Sequence, residues 1–449
     1  MKIGFAKKKI TPRVPCVLAG YAPVREMEGV HDDLYVKALF FSAEGEVYGC
    51  VSYDLLAVDS LLMEPAAAFV EKNGVSRGHV LFCAIHTHSA PGGALETRKG
   101  CLRAERDIVG DINEALAEDI AAAAKECIAE ALGNMQEGKA FRMYGTCSGV
   151  GSNRDDKDLE GNDALLCFEI WSGQEKMLLV NFACHPTVLH AENRLCSADF
   201  PGALQKKMET EGYCMTMFLN GSAGDISTRF TRKGSGFEEA GRYGELLGQS
   251  CLSLLEHKAL YEIHKIKIGQ KKLRLRAKEA LPVSEARKML DQRRQEYEEG
   301  VQKGVSPAGK RLLESLLEGA EADLRYAQHY SGQKEYNVEL NFFRVNDDIF
   351  VAVPGELMSQ LSNPLQDEQT HFISYANGYL MYFADRNAYR QGYYEALSSP
   401  FLEGEAERMI DLIEQEIQEW RNEKFYAMPL ITGFSLCQGG GKQSPSGRQ

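Results

Sequence analysis

Short apolar runs alternate with segments of helical periodicity along the first 260 residues. Residues 36–41 and 48–53 are β-rich, and residues 80–85, 177–182 and 215–219 are largely apolar runs of strand length. Such runs suit strands buried on both faces, as when helices cover a sheet. Between them, residues 111–132 carry Ile112, Leu116, Ile120 and Ala124 at four-residue intervals, and residues 65–72 read as a helix with Pro65 in its first turn. The pattern predicts an α/β fold built on a mixed sheet covered by helices.

Residues 279–331 differ in character, being rich in Glu, Arg, Lys, Gln and Leu with a break across 300–309. Ser284 is a plausible cap, and the segment reads as a helical hairpin inserted into the α/β domain, solvated and structural or, as the alternative, a lid or partner surface. Strand patterns resume at 338–345 and 349–353, and a late amphipathic helix sets Met409, Ile413, Ile417 and Trp420 on one face. Residues 438–449, with Gly439, Gly440 and Gly441 near their start, read as a flexible tail, leaving one domain over residues 1–437.

Composition narrows the function classes. The 44% hydrophobic and 26% charged content is that of a soluble globular protein. A net charge of -13 argues against a nucleic-acid partner, and no run approaches the ~18 apolar residues of a membrane span, so no stable membrane insertion is expected. Twelve cysteines without a Cys-x-x-Cys pair read as free thiols rather than disulfides. No apolar stretch follows Lys7, Lys8 and Lys9 to make a signal peptide, and a cytoplasmic location is expected. Oligomeric state is left open.

Five segments carry candidate chemistry. In Cys83-Ala84-Ile85-His86-Thr87-His88-Ser89-Ala90-Pro91-Gly92-Gly93, an apolar strand ends in two histidines two residues apart, so that both imidazoles would leave one face. That suits a metal ligand beside an acid/base group, although paired histidines also arise on surfaces without function. Val180-Asn181-Phe182-Ala183-Cys184-His185-Pro186 ends a second strand in a histidine, either structural or at a crevice beyond the sheet edge. Phe218-Leu219-Asn220-Gly221-Ser222-Ala223-Gly224-Asp225-Ile226-Ser227 runs through a small-residue turn. It could present backbone N–H groups or a nucleophile, or Asp225 could cap a helix. Glu356, in Val353-Pro354-Gly355-Glu356, is placed at a helix start. Tyr379, Tyr382, Tyr389, Tyr393 and Tyr394 cluster near the end, where packing alone would also explain them.

Taken in order, these motifs resemble the catalytic domain of the neutral/alkaline (non-lysosomal) ceramidase family. The resemblance starts at Ile3-Gly4 and Ile10-Thr11-Pro12, continues through Ala19-Gly20-Tyr21 and Gly29-Val30-His31-Asp32, and ends at Tyr394-Glu395. It implies a zinc-dependent amidohydrolase of lipid metabolism acting on an N-acyl, ceramide-like or simpler, small-molecule substrate. It implies zinc held by His86, His185, Glu356 and Tyr382, with His88, Ser227, Arg154 and Tyr394 as catalytic residues, and it gives Asp199 no assigned role. Ser227 would be either a nucleophile or a hydrogen-bond donor. A zinc hydrolase acting on an ester or another acyl bond, or a non-catalytic metal-binding homologue, stays open as an alternative.

The sequence departs from the family in two places. Ile226-Ser227-Thr228-Arg229 stands where members usually read Val-Ser-Pro-Asn, and Phe200 follows Asp199 where another residue is usual. The family's secretory leader and C-terminal immunoglobulin-like domain are not seen. A soluble or modestly amphiphilic amide is therefore expected in place of membrane-embedded ceramide.

Overall fold

The computed structural model describes residues 1–13, 15–329 and 332–423. The expected tail at 438–449 lies outside the described residues. Its main sheet uses β1 (Lys2–Lys9), β2 (Tyr35–Ala43), β3 (Glu46–Tyr53), β4 (Val80–Ala84), β5 (Gln136–Thr146), β6 (Ala164–Ser172), β7 (Glu175–Phe182) and β8 (Met215–Asn220). Their order is β8-β7-β6-β5-β1-β2-β3-β4, and the two-residue strand Ala259–Leu260 pairs with β5 as a ninth. The β7–β8 and β3–β4 pairs are parallel and the others antiparallel, so the sheet is mixed.

Alternation along the strands decides the layering. Val36, Ala38 and Phe40 join Val51 and Tyr53 on one face, where α1 (Ser60–Lys72), α2 (Glu114–Gly133), α3 (Asp199–Thr210) and α4 (Phe237–Leu255) bury their apolar stripes. Ile3, Phe5, Leu39, Leu81 and Phe168 point the other way and meet a second sheet. That sheet, in the order β9 (Ile266–Arg276), β10 (Glu335–Val345), β11 (Asp348–Ala352) and β12 (Thr370–Ile373), contributes Ala352, Ile373, Phe343 and Phe350 to the shared layer. Its outer face is covered by α7 (Glu405–Asn422) through Met409, Ile413, Ile417 and Trp420. The result is four layers, helices outside and two sheets inside. The helix α1 begins five residues before Pro65, because the Asp59 carboxylate caps the Leu61 N–H at 2.9 Å.

The charged segment forms α5 (Val283–Gln302) and α6 (Pro307–His329), inserted between the neighbouring antiparallel strands β9 and β10. The expectation of a solvated hairpin needs correction for α6. Ala320 and Leu324 are buried against Ala286 and Leu290 of α5, while another face of α6, carrying the buried Ser315, packs over the candidate active site. Among the described residues no helix is long and apolar enough to cross a membrane, and all eleven described cysteines are free thiols.

Candidate active site

The C-terminal ends of β4, β7 and β8 come together beyond the main sheet, and Asn220 joins them. As the last residue of β8 it donates from Nδ2 to the carbonyls of Ile85 and Cys184, each at 3.1 Å. Its Oδ1 accepts from the Cys184 N–H at 3.2 Å. Those carbonyls immediately precede His86 and His185, so one buried amide brings the two histidine segments together.

The imidazoles do not leave a strand by pleat alternation, as the His-x-His spacing suggested. β4 ends at Ala84, and His86 lies beyond it with φ at 72°. A side chain in that left-handed region costs about 1–2 kcal/mol. Local bonds offset it: the His86 N–H donates to Leu55 O at 2.9 Å, Nδ1–H donates to Leu56 O at 2.8 Å, and the ring stacks on Tyr375 at 4.0 Å and 17°. His185 is anchored alike, its N–H on Ile226 O at 2.9 Å and its Nδ1–H on Ala223 O at 2.5 Å. In the neutral tautomer both rings therefore turn an unprotonated Nε2 inward.

Glu356 faces those two atoms. It does not start a helix; Glu356–Leu357 is a short strand paired in parallel with Tyr382–Phe383. Close backbone approach explains a small neighbour: a Cβ on Gly224 would sit 2.9 Å from the Leu357 carbonyl. Glu356 Oε2 lies 3.0 Å from His185 Nε2 and 3.2 Å from His86 Nε2, while Oε1 accepts from the Tyr379 hydroxyl at 2.5 Å. His88 Nε2 is a further 3.2 Å from His86 Nε2, and the three imidazoles can offer nitrogens all within 4.8 Å of one another. His88 itself differs from the other two. Its Nδ1 is buried without a partner, and its ring fits against Gly20, where a Cβ would come within 2.5 Å. Burial and the neighbouring His86 and His185 rings hold His88 well below the usual histidine range. Burial, then the Arg154 charge, pushes His185 down to about 3.

The remaining predicted residues stand beside this cluster. The short strands Ser152–Asn153 and Ile226–Ser227 pair antiparallel, which sets Arg154 and Ser227 at one edge. Asp225 fastens that edge as a buried acceptor from Ser359 Oγ at 3.0 Å, Asn153 Nδ2 at 2.9 Å and the Ser359 N–H, so that it caps the short helix Ser359–Ser362 of a distant segment and none of its own. Arg154 donates to the Tyr382 hydroxyl at 3.0 Å and to Glu395 at 2.6 Å, with the Tyr382 and Tyr394 rings flanking it at 5.7 and 5.9 Å. His88, Arg154, Ser227, Tyr382 and Tyr394 all line one cavity of about 120 Å³, whereas His86, His185 and Glu356 lie behind its wall. Arg311, Ser315, Glu318, Glu321 and Arg325 of α6 form the opposite wall. Asp199 stands apart: its carboxylate accepts from the Leu189 and Phe200 N–H groups at 2.9 and 2.6 Å, fastening the loop after His185 to the start of α3.

Four residues that support the site carry no role that the sequence pattern assigns: Asn220, Tyr375, Tyr379 and Glu395. Three sit inside or directly beside motifs that were read, yet only the tertiary contacts give them roles. Tyr375 lies outside those motifs.

No protein-family model and no curated protein matches the sequence. Among solved structures, the chain is similar to the neutral ceramidase from Pseudomonas aeruginosa, with a TM-score of 0.69 and 17% identity over 94% of this chain and 74% of that one. A structure described as a ceramidase complexed with C2 gives 0.68 and 16% over 98% and 78%. The four-layer architecture built here is the fold of the neutral ceramidases.

Proposed function

We propose that the chain is a zinc-dependent amidohydrolase that cleaves an N-acyl amide bond. The observation that carries this is the convergence of the His86 and His185 Nε2 lone pairs on the Glu356 carboxylate at 3.0–3.2 Å. With both Nδ1–H groups committed to backbone carbonyls, these atoms are acceptors facing acceptors, an arrangement that a cation relieves. Imidazole and carboxylate donors without thiolate suit zinc, and the Tyr382 hydroxyl completes the set that the ceramidase resemblance implies. His86 and His185 have the second-nitrogen anchors of metal ligands. His88 has none and lines the cavity, which suits a base.

Zinc in such a site polarises a carbonyl and makes water a nucleophile at neutral pH. The residues of the chain supply the rest. His88 Nε2 takes a proton from the attacking water and returns it to the leaving nitrogen, so that the C–N bond breaks to a carboxylic acid and an amine. Ser227 Oγ, on the cavity wall, donates to the carbonyl oxygen as charge builds there. Arg154, held between Glu395 and Tyr382, fixes the Tyr382 hydroxyl, and Tyr394 orients the substrate across the cavity. The likeness to ceramidases supports an amide over other acyl bonds.

Elemental analysis of the purified protein, with hydrolysis of N-hexanoylethanolamine before and after chelation, tests this reading. One zinc per chain and activity that is lost on chelation and restored by zinc are expected. Absence of zinc, or full turnover after exhaustive chelation, overturns it.

A further inference from the structure

The cavity wall is more basic than the chain that builds it. In a protein of net charge -13, five arginines and two glutamates line this one cavity. Most of those charges are matched: Arg154 with Glu395, Arg311 with Glu318 at 2.8 Å, and Arg325 with Glu105 at 3.6 Å. Arg229 and Arg232 are not, since neither has a carboxylate within 4 Å among the described residues.

Both are half-buried and held in place by one head-group contact each. Arg229 Nη1 donates to Arg154 O at 2.7 Å, and Arg232 Nη1 donates to Thr187 O at 2.9 Å. Those anchors leave the other guanidinium donors free to meet something in the cavity. The Arg229 backbone N–H also donates to Ser227 Oγ at 3.2 Å, so the arginine is tied to a residue placed at the reacting bond. Burial, then the charges of Arg311 and Arg154, lowers the Arg229 pKa to about 10, with Glu395 and Asp155 acting in the opposite direction. Arg229 also occupies the position where the resembling family usually reads asparagine.

We infer that Arg229 and Arg232 bind a carboxylate carried by the substrate, and so that the amide cleaved is an anionic one. Two unmatched guanidinium groups stand against a single cavity carboxylate outside an ion pair, Glu321. That balance suits a monoanion, and a guanidinium fork suits a carboxylate in particular. The α6 wall is polar, with Arg311, Ser315, Glu318, Glu321 and Arg325, while Tyr21, Ala22 and Ile108 supply apolar surface elsewhere on the lining. The inference rests on the amidohydrolase reading for the bond cleaved, but the anion site itself is a separate property.

The test compares three soluble amides with the zinc-loaded full chain. N-hexanoylglycine carries the carboxylate on the amine side, the monoethanolamide of adipic acid carries it on the acyl side, and N-hexanoylethanolamine is neutral. One anionic amide should exceed the neutral one in kcat/KM by about tenfold or more, and which one does so fixes the side. That ratio should shrink by about tenfold in Arg229→Gln or Arg232→Gln and recover in part in Arg229→Lys. Calorimetric binding of the same compounds reads the anion site even where turnover fails. Tighter binding of an anionic amide without hydrolysis sinks the amidohydrolase reading and leaves the anion site standing. Equal binding and equal kcat/KM for all three, or a preference unchanged in both glutamine variants, overturns the inference.

Discussion

Two buried carboxylates in this molecule each face an imidazole, and their surroundings give them opposite characters. Asp348 accepts from Arg142 Nε and Nη2 at 3.0 and 2.9 Å, from the Tyr261 hydroxyl at 2.6 Å and from His371 Nε2 at 3.0 Å. His371 Nδ1 has no partner, so the proton belongs on Nε2 and every contact to Asp348 is donor to acceptor. Glu356 receives one comparable bond, from Tyr379, and otherwise meets the Nε2 atoms of two rings whose protons are used elsewhere. The Asp348 network is complete as protein. In the proposed reading, a cation completes the Glu356 cluster. Burial of a carboxylate beside histidine therefore says little about function until the donors and acceptors are counted.

Converting each carboxylate to its amide separates the two most sharply. Glu356→Gln should abolish zinc binding and lower kcat/KM by about 10³-fold, since the Lewis acid is worth several kcal/mol. The same variant should melt no lower than metal-free wild type, because the new amide N–H donates to a waiting Nε2. Asp348→Asn should do the reverse. It leaves Arg142 short of its partner and costs about 3 kcal/mol, the low end for a broken buried pair because Arg142 keeps some exposure, with one zinc per chain retained. Metal analysis and thermal melts of both metal-free variants read the contrast. A Glu356→Gln protein destabilised as much as Asp348→Asn would make the site structural.

A smaller effect tests which cavity groups do chemistry. Among the described residues no hydrogen bond joins Ser227 to an imidazole or carboxylate that could activate it as a nucleophile, and its Oγ accepts from Arg229 N–H. As a donor to the developing oxyanion, Ser227 is worth about 10²–10³ in kcat, so Ser227→Ala should keep measurable turnover. Rapid-quench mass spectrometry of wild type should find no acyl-enzyme. An adduct trapped on Ser227, together with complete loss in the alanine variant, would give it the nucleophile's role instead.

The same contrast explains what could be read from the sequence. Strands buried on both faces, such as β4, β7 and β8, announced themselves as continuous apolar runs, and the helical stripes of α2 and α7 were equally plain. β9 did not, because Lys271, Lys272, Arg274 and Arg276 interrupt a strand with only partial burial. Both histidine segments were legible from the histidines just past each strand end, yet the pleat argument for His86 and His88 failed at a left-handed residue there. Glu356 was legible as a candidate and wrongly set at a helix start, because a two-residue parallel pair leaves no periodicity to detect. That Tyr379 donates its hydroxyl to Glu356 while Tyr382 accepts from Arg154 is a pairing that no local pattern reveals. The second face of α6 was invisible for a related reason: its arginines and glutamates look solvated in sequence, and only the cavity opposite shows what they face.

A third buried carboxylate lies between the two extremes and gives the finest test. Asp199 accepts two backbone N–H bonds, which favour its charged form, but among the described residues it forms no ion pair. Burial outweighs those bonds and lifts its pKa to about 7, with Asp32 raising it further and Arg232 lowering it. In the unfolded chain the same group titrates near ~3.9. The folded pKa is thus the higher one, and the folded state binds the proton more tightly. Its contribution to stability is fully present below about pH 3.9 and is lost as pH rises through about 7. Asp199→Asn removes this titration, and asparagine tolerates the φ of 56° found there, so the backbone is not disturbed. It offers one oxygen to two N–H groups and should cost about 1–3 kcal/mol at any pH. The diagnostic is the slope: between pH 5 and pH 8 the Tm of wild type should fall more steeply than that of Asp199→Asn. Parallel curves would mean that Asp199 stays ionised throughout, its two N–H donors matching burial as fully as the donors around Asp348 do.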